Sequence, residues 1–105
     1  MAEPRKTRVL LADDDAHIRV LMKTLMGTLN CEVIAEAKNG VEAVEFFGQA
    51  MPDIVLLDIN MPFKNGIEAL AEIKANRRDA FVIMLTSVAD IDRKSTRLNS
   101  SHRIR

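Results

Sequence analysis

The chain has 105 residues, 48% of them apolar, with fifteen basic and fifteen acidic side chains: enough apolar substance for the core of one domain, and neither a basic nucleic-acid arm nor an acidic disordered tail. A single cysteine, Cys31, excludes an internal disulfide, and the opening Met-Ala-Glu-Pro-Arg-Lys lacks the apolar stretch of a secretory signal. No apolar run approaches the length of a membrane span, so a soluble, cytoplasmic protein is expected.

After a leader over 1–7, Val9-Leu-Leu-Ala12 is a short apolar run ended by Asp13-Asp14-Asp15, the pattern of a strand buried on both faces. Ile18, Leu21, Met22, Leu25, Met26 and Leu29 then recur at intervals of three and four. This spacing predicts a helix over about 16–28, with Asp15 as its N-cap and Met22 and Met26 in its core stripe. His17 in its first turn is expected at the surface. Cys31-Glu-Val-Ile-Ala35, bounded by Asn30 and Asn39-Gly40, suits a second strand, with Cys31 as a small buried residue.

Val41, Val44 and Phe47, with Ala43 and Phe46 beside them, form the next helical stripe, closed by Gln-Ala-Met-Pro52. Asp53-Ile-Val-Leu-Leu-Asp58 is a third strand, and it too runs into a carboxylate. Asn60 to Gly66 is a loop, since Pro62 and Gly66 both disfavour regular structure. Ile67, Leu70, Ala71 and Lys74 carry a third helix to about Arg77, where Arg77-Arg78-Asp79 reads as a solvated helix end. Ala80-Phe-Val-Ile-Met-Leu85 is the fourth strand, followed by Thr86-Ser87.

Strands alternating with helices call for parallel pairing, right-handed crossovers and helices on both faces, a three-layer α/β/α architecture. Ligands in such open sheets bind outside the carboxyl ends of the strands. Those ends carry Asp13, Asp14, Asp58 and Thr86.

The pattern stops after Asp92. Residues 1–92 hold ten Lys/Arg against all fifteen Asp/Glu, while 93–105 hold five Lys/Arg and no acid. This tail is polar, with two isolated apolar residues, and its composition suits a vector- or adaptor-derived ending better than an evolved motif. It is too short and too poor in aromatics for a nucleic-acid site.

Three strand-end carboxylates brought together repel one another, and a hard divalent cation among them relieves this. Mg²⁺ takes oxygen ligands, keeps several waters and is typically held by one or two carboxylates plus phosphate oxygens. One Cys and two scattered His exclude a zinc site. The hydroxyl of Thr86 suits a phosphoryl oxygen, and a carboxylate can itself be the nucleophile that forms an aspartyl-phosphate. Gly27, Gly40, Gly48 and Gly66 match neither the Walker nor the dinucleotide pattern, so ATP is not expected to bind.

At this point the residues resemble a known family. Val9-Leu-Leu-Ala-Asp-Asp-Asp15, Asp53-Ile-Val-Leu-Leu-Asp-Ile-Asn-Met-Pro-Phe-Lys-Asn-Gly66 and Val82-Ile-Met-Leu-Thr-Ser87 look like the three signature blocks of the receiver domain of bacterial response regulators, in order and at matching spacing over residues 8–92. The resemblance implies a flavodoxin-like, or CheY-like, fold with strand order 2-1-3-4 for the strands present. It implies that Asp58 accepts a phosphoryl group from a sensor histidine kinase or phosphotransfer protein. Asp13, Asp14, Asp58 and the Asn60 backbone carbonyl would hold Mg²⁺, and Thr86 would be the switch hydroxyl. Pro62 and Gly66 would shape the loop beside Asp58, with Met61 in that loop taking no part in the chemistry. The output would be a conformational change read by a downstream effector domain or protein, not turnover of an external substrate.

One departure stands out. Such receivers carry a lysine at the end of a fifth strand, and Lys94, with seven residues between it and Thr86, is too close for a parallel crossover of roughly ten to twelve residues. The fifth strand, last helix and lysine are expected to be missing, which leaves the fourth strand as an open edge inviting self-association. A pseudo-receiver without phosphotransfer is therefore one alternative. Another is an aspartate-nucleophile phosphohydrolase, disfavoured because that pattern wants a second Asp where this chain has Asn60.

Overall fold

The computed structural model of the chain describes residues 5–86. In order the elements are β1 (Thr7–Ala12), α1 (Ala16–Thr28), β2 (Cys31–Ala37), α2 (Gly40–Ala50), β3 (Ile54–Asp58), α3 (Gly66–Asn76) and β4 (Phe81–Leu85). The strands form one parallel sheet in the order β2-β1-β3-β4. The chain thus has the expected CheY-like, flavodoxin-type fold. The fifth strand, the last helix and the tail treated above lie outside the described residues, as does the boundary at 92.

The register sorts the side chains onto two faces. Leu10, Ala12, Val55 and Leu57 join Ala43 and Phe47 of α2 and Ala69 and Ile73 of α3 in one core. Each large aliphatic side chain buried there stabilises the fold by roughly 1.5–3 kcal/mol relative to exposure. Val9, Leu11 and Leu56 point the other way and meet Met22 and Met26 of α1. β1 is fully buried from Val9 to Ala12, as its unbroken apolar run predicted.

The helix stripes need correction. Of the predicted α1 stripe, Ile18, Met22 and Met26 are half-buried, whereas Leu21, Leu25 and Leu29 are exposed. In α2 Phe47 and Ala43 are buried as expected, together with Gly40, but Val41 is exposed; in α3 Ile67 is exposed and the buried positions are Gly66, Ala69 and Ile73. In α2 and α3 the inward positions pair one small residue with one large one, Ala43 with Phe47 and Ala69 with Ile73, while α1 meets the sheet through Met22 and Met26. Cys31, predicted buried, is half-buried because β2 is an edge strand.

Local signals explain the helix ends. The Asp15 side chain accepts from the backbone N–H groups of His17 and Ile18, as an N-cap should. Asn65 and Glu68 form a reciprocal capping box at α3. At the end of α2, the Arg8 guanidinium donates to the carbonyls of Ala50 and Met51, and Met51 takes the left-handed conformation just before Pro52. No helix among the described residues is long and apolar enough to cross a membrane.

Candidate functional site

Parallel strands β1 and β3 are neighbours, with Ala12 paired to Leu57. The residues just beyond them are therefore forced together at the carboxyl end of the sheet. Carboxylate oxygens of Asp13, Asp14 and Asp58 lie within 4.8 Å of one another. Asp13 and Asp58 are buried and Asp14 is exposed, so the cluster opens toward solvent on one side.

The turn that bears Asp13 and Asp14 is held on several sides. The Asp13 N–H donates to the Ala37 carbonyl at 3.0 Å. Its carboxylate accepts from the Asp15 N–H at 2.8 Å, and its carbonyl accepts from Nη1 of Arg19 at 2.6 Å. Burial pushes the Asp13 carboxyl above the usual aspartate range; the Asp15 N–H opposes this, and the charges of Asp14 and Asp15 add to it. A buried carboxylate beside like charges is a donor set that gains from a cation. The oxygen-only composition suits a hard one, so the residues present fit Mg²⁺.

Asp58 ends β3, and its carboxylate accepts from the Asn60 N–H at 3.3 Å. Beyond it the loop folds back so that the Gly66 N–H donates to the Ile59 carbonyl at 2.7 Å. A Cβ on Gly66 would meet the Asp58 carbonyl oxygen at 2.1 Å, so only glycine permits this approach. Met61 is buried in the larger core cluster, which anchors the loop beside Asp58; its role is packing. Asp58 pairs with Leu85 in β4, and the Ile59 N–H donates to the Leu85 carbonyl at 3.1 Å. Thr86 therefore starts one residue past the partner of Asp58, exposed at the same end of the sheet.

The predicted site residues thus gather at one end of the sheet: Asp13, Asp14 and Asp58 as a cluster, with Asn60 and Thr86 on the segments that leave β3 and β4. His17 is exposed and takes no part in the cluster. Arg19 was missed by sequence reasoning. Its only signal was a basic residue four positions after Asp15, which reads equally well as an ordinary helix-surface charge.

The sequence and the fold are similar to those of known proteins. A family model described as the response regulator receiver domain matches residues 9–101. The chemotaxis protein CheY of Listeria monocytogenes is 43% identical over 81 residues, covering 77% of this chain and 68% of that protein. The transcriptional regulatory protein PdtaR of Mycobacterium tuberculosis is 40% identical over 91 residues, covering 87% of this chain and 43% of its own. Among solved structures, the response regulator domain of Thermotoga maritima CheB superimposes with a TM-score of 0.75 at 37% identity, over 89% of this chain and 72% of that one. CheY in a CheX–CheY–BeF3–Mg²⁺ complex from Borrelia burgdorferi gives a TM-score of 0.76 at 28% identity, over 90% and 72%. From sequence and fold, this chain belongs to the response regulator receiver domain family.

Proposed function

We propose that this receiver accepts a phosphoryl group on Asp58 from a phosphohistidine of a sensor kinase or phosphotransfer protein, with Mg²⁺ held by Asp13, Asp14, Asp58 and the Asn60 carbonyl. The observation that carries the reading is the convergence of the three carboxylates within 4.8 Å, at the strand ends where open α/β sheets bind ligands.

A carboxylate oxygen of Asp58 attacks the phosphorus; the O–P bond forms as the N–P bond to the donor imidazole breaks, and the imidazole leaves with the bonding electron pair. Water later cleaves the acyl phosphate, regenerating the carboxylate and releasing inorganic phosphate. When bound, the cation neutralises charge on the transferring group. The chain's own part is positional: Gly66 lets the loop close against Asp58, and Asn60 donates its N–H to the nucleophile. Thr86 offers a hydroxyl toward a phosphoryl oxygen, and its movement is the signal read by an effector. The protein is thus a phosphoacceptor switch, not an enzyme acting on a separate substrate.

Labelling with acetyl phosphate tests this. Native protein should be phosphorylated only with Mg²⁺ present, and Asp58→Asn should take up no label. Equal labelling of the two proteins would refute the assignment.

A further inference from the structure

One guanidinium ties the triple-aspartate turn to both α1 and β2. Arg19, one turn into α1, sends Nη1 to the Asp13 carbonyl at 2.6 Å and Nε to the Glu36 carboxylate at 3.2 Å. The other oxygen of Glu36 pairs with Lys23, also of α1, at 2.9 Å. Three segments meet at this one side chain: the end of β2, the start of α1 and the turn that presents the acidic cluster.

The sheet is built so that this meeting occurs. Val9 pairs with Val33, but the register then steps so that Leu10 pairs with Ala35 and Leu11 with Glu36. Without the step, Glu36 would lie on the opposite face from Leu11, away from α1. With it, Glu36 shares the face of Leu11, which is the face α1 covers. Register irregularities of this kind re-aim a side chain at the cost of a ladder bond. Lys23, then Arg19, holds the Glu36 carboxyl below the usual glutamate range, which keeps the anchor charged.

The Asp13 carbonyl belongs to the peptide plane that joins Asp13 to Asp14. Fixing its oxygen fixes where the Cα of Asp14 sits and so limits the directions its side chain can take, and the Ala37 carbonyl already holds the other side of Asp13. Resting on the metal reading above, we propose that Arg19 is a positioning residue for cation binding. Its forked guanidinium, anchored on Glu36, sets the Asp13–Asp14 peptide so that both carboxylates address one ion. A lysine presents one compact charge and cannot hold both oxygens in fixed geometry.

The test is Mg²⁺ titration by calorimetry of the 105-residue chain, with native secondary structure of each variant verified by circular dichroism. Arg19→Ala should weaken Mg²⁺ binding about tenfold, the scale seen when partners that orient metal ligands are removed, and Arg19→Lys should recover only part of the loss. A purely structural role would lower the urea midpoint and leave the Mg²⁺ affinity of the folded protein unchanged. Native affinity in folded Arg19→Ala overturns the proposal; if that variant does not fold, native affinity in Arg19→Lys overturns it. If native protein binds no Mg²⁺, or binds it equally after Asp58→Asn, the metal reading itself fails and this inference falls with it.

Discussion

On the face of the sheet covered by α2 and α3, Leu10, Leu57 and Ile73 are fully buried, whereas on the face covered by α1 no helix residue is buried and Leu21, Leu25 and Leu29 keep 54%, 45% and 65% of their surface. α1 packs on β2 and β1, at one side of the sheet. Phe81 and Ile83 of β4, which share that face with Leu56, are 61% and 40% exposed. Parallel sheets are stable when both faces are covered. Among the described residues, one face of this sheet meets that condition and the other meets it only beside α1. The acidic turn is joined to the less covered side through Arg19 of α1, whose hydrogen bond to the Asp13 carbonyl adds to the backbone bond that ties Asp13 to Ala37 at the end of β2.

Truncations should show the contrast most strongly. Ile73→Ala, on the well-covered face, should lower stability by about 2–5 kcal/mol, read as a fall in the urea midpoint at constant slope. Met26→Ala, half-buried on the α1 face, should cost about 1 kcal/mol, because water already reaches part of the side chain. Comparable losses at the two positions would erase the distinction between the faces.

Exposure on the α1 face also predicts association. Leu21, Leu25 and Ile83 are apolar and accessible, and β4 is an edge strand of the described sheet, so sedimentation should show mass rising with concentration. Leu25→Gln should reduce that rise while changing monomer stability by no more than about 0.5 kcal/mol. A mass independent of concentration in the native chain would break this part of the comparison.

These differences mark how much the sequence discloses. Element order, the carboxyl ends of β1, β3 and β4 and the acidic positions were legible because each leaves a local trace: an apolar run, a change of period, a carboxylate just after a strand; β2, expected to end at Ala35, runs on to Ala37 and takes in Glu36. The depth of burial along α1 was not, since Leu25 and Met26 are equally apolar and adjacent, and only the approach of the sheet separates them. The anchoring of the β3–α3 loop by Met61 was hidden for the same reason, a methionine in a loop having no periodicity to betray it. Arg19 and Glu36 are seventeen positions apart and meet only through a register step that no residue type announces.

The smallest effect concerns acid. Glu36 is held below the usual glutamate range by Lys23 and then Arg19, and Asp53 below the usual aspartate range chiefly by the Arg8 N–H. For a group whose pKa is lower in the folded than in the unfolded chain, the stabilisation is complete above its unfolded value and is lost as pH falls through the folded one. Both groups should therefore make the native fold less stable in acid, and Glu36→Gln should remove one of the two contributions. At neutral pH the variant should be less stable by about 0.5 kcal/mol, as suits a partly exposed ion pair. Below the usual glutamate range that deficit should close, because protonated Glu36 is as uncharged as the glutamine. Urea midpoints taken from neutral pH downward measure it, and a deficit that stays constant into acid would mean that Glu36 acts on the α1 face by shape and hydrogen bonding rather than by charge.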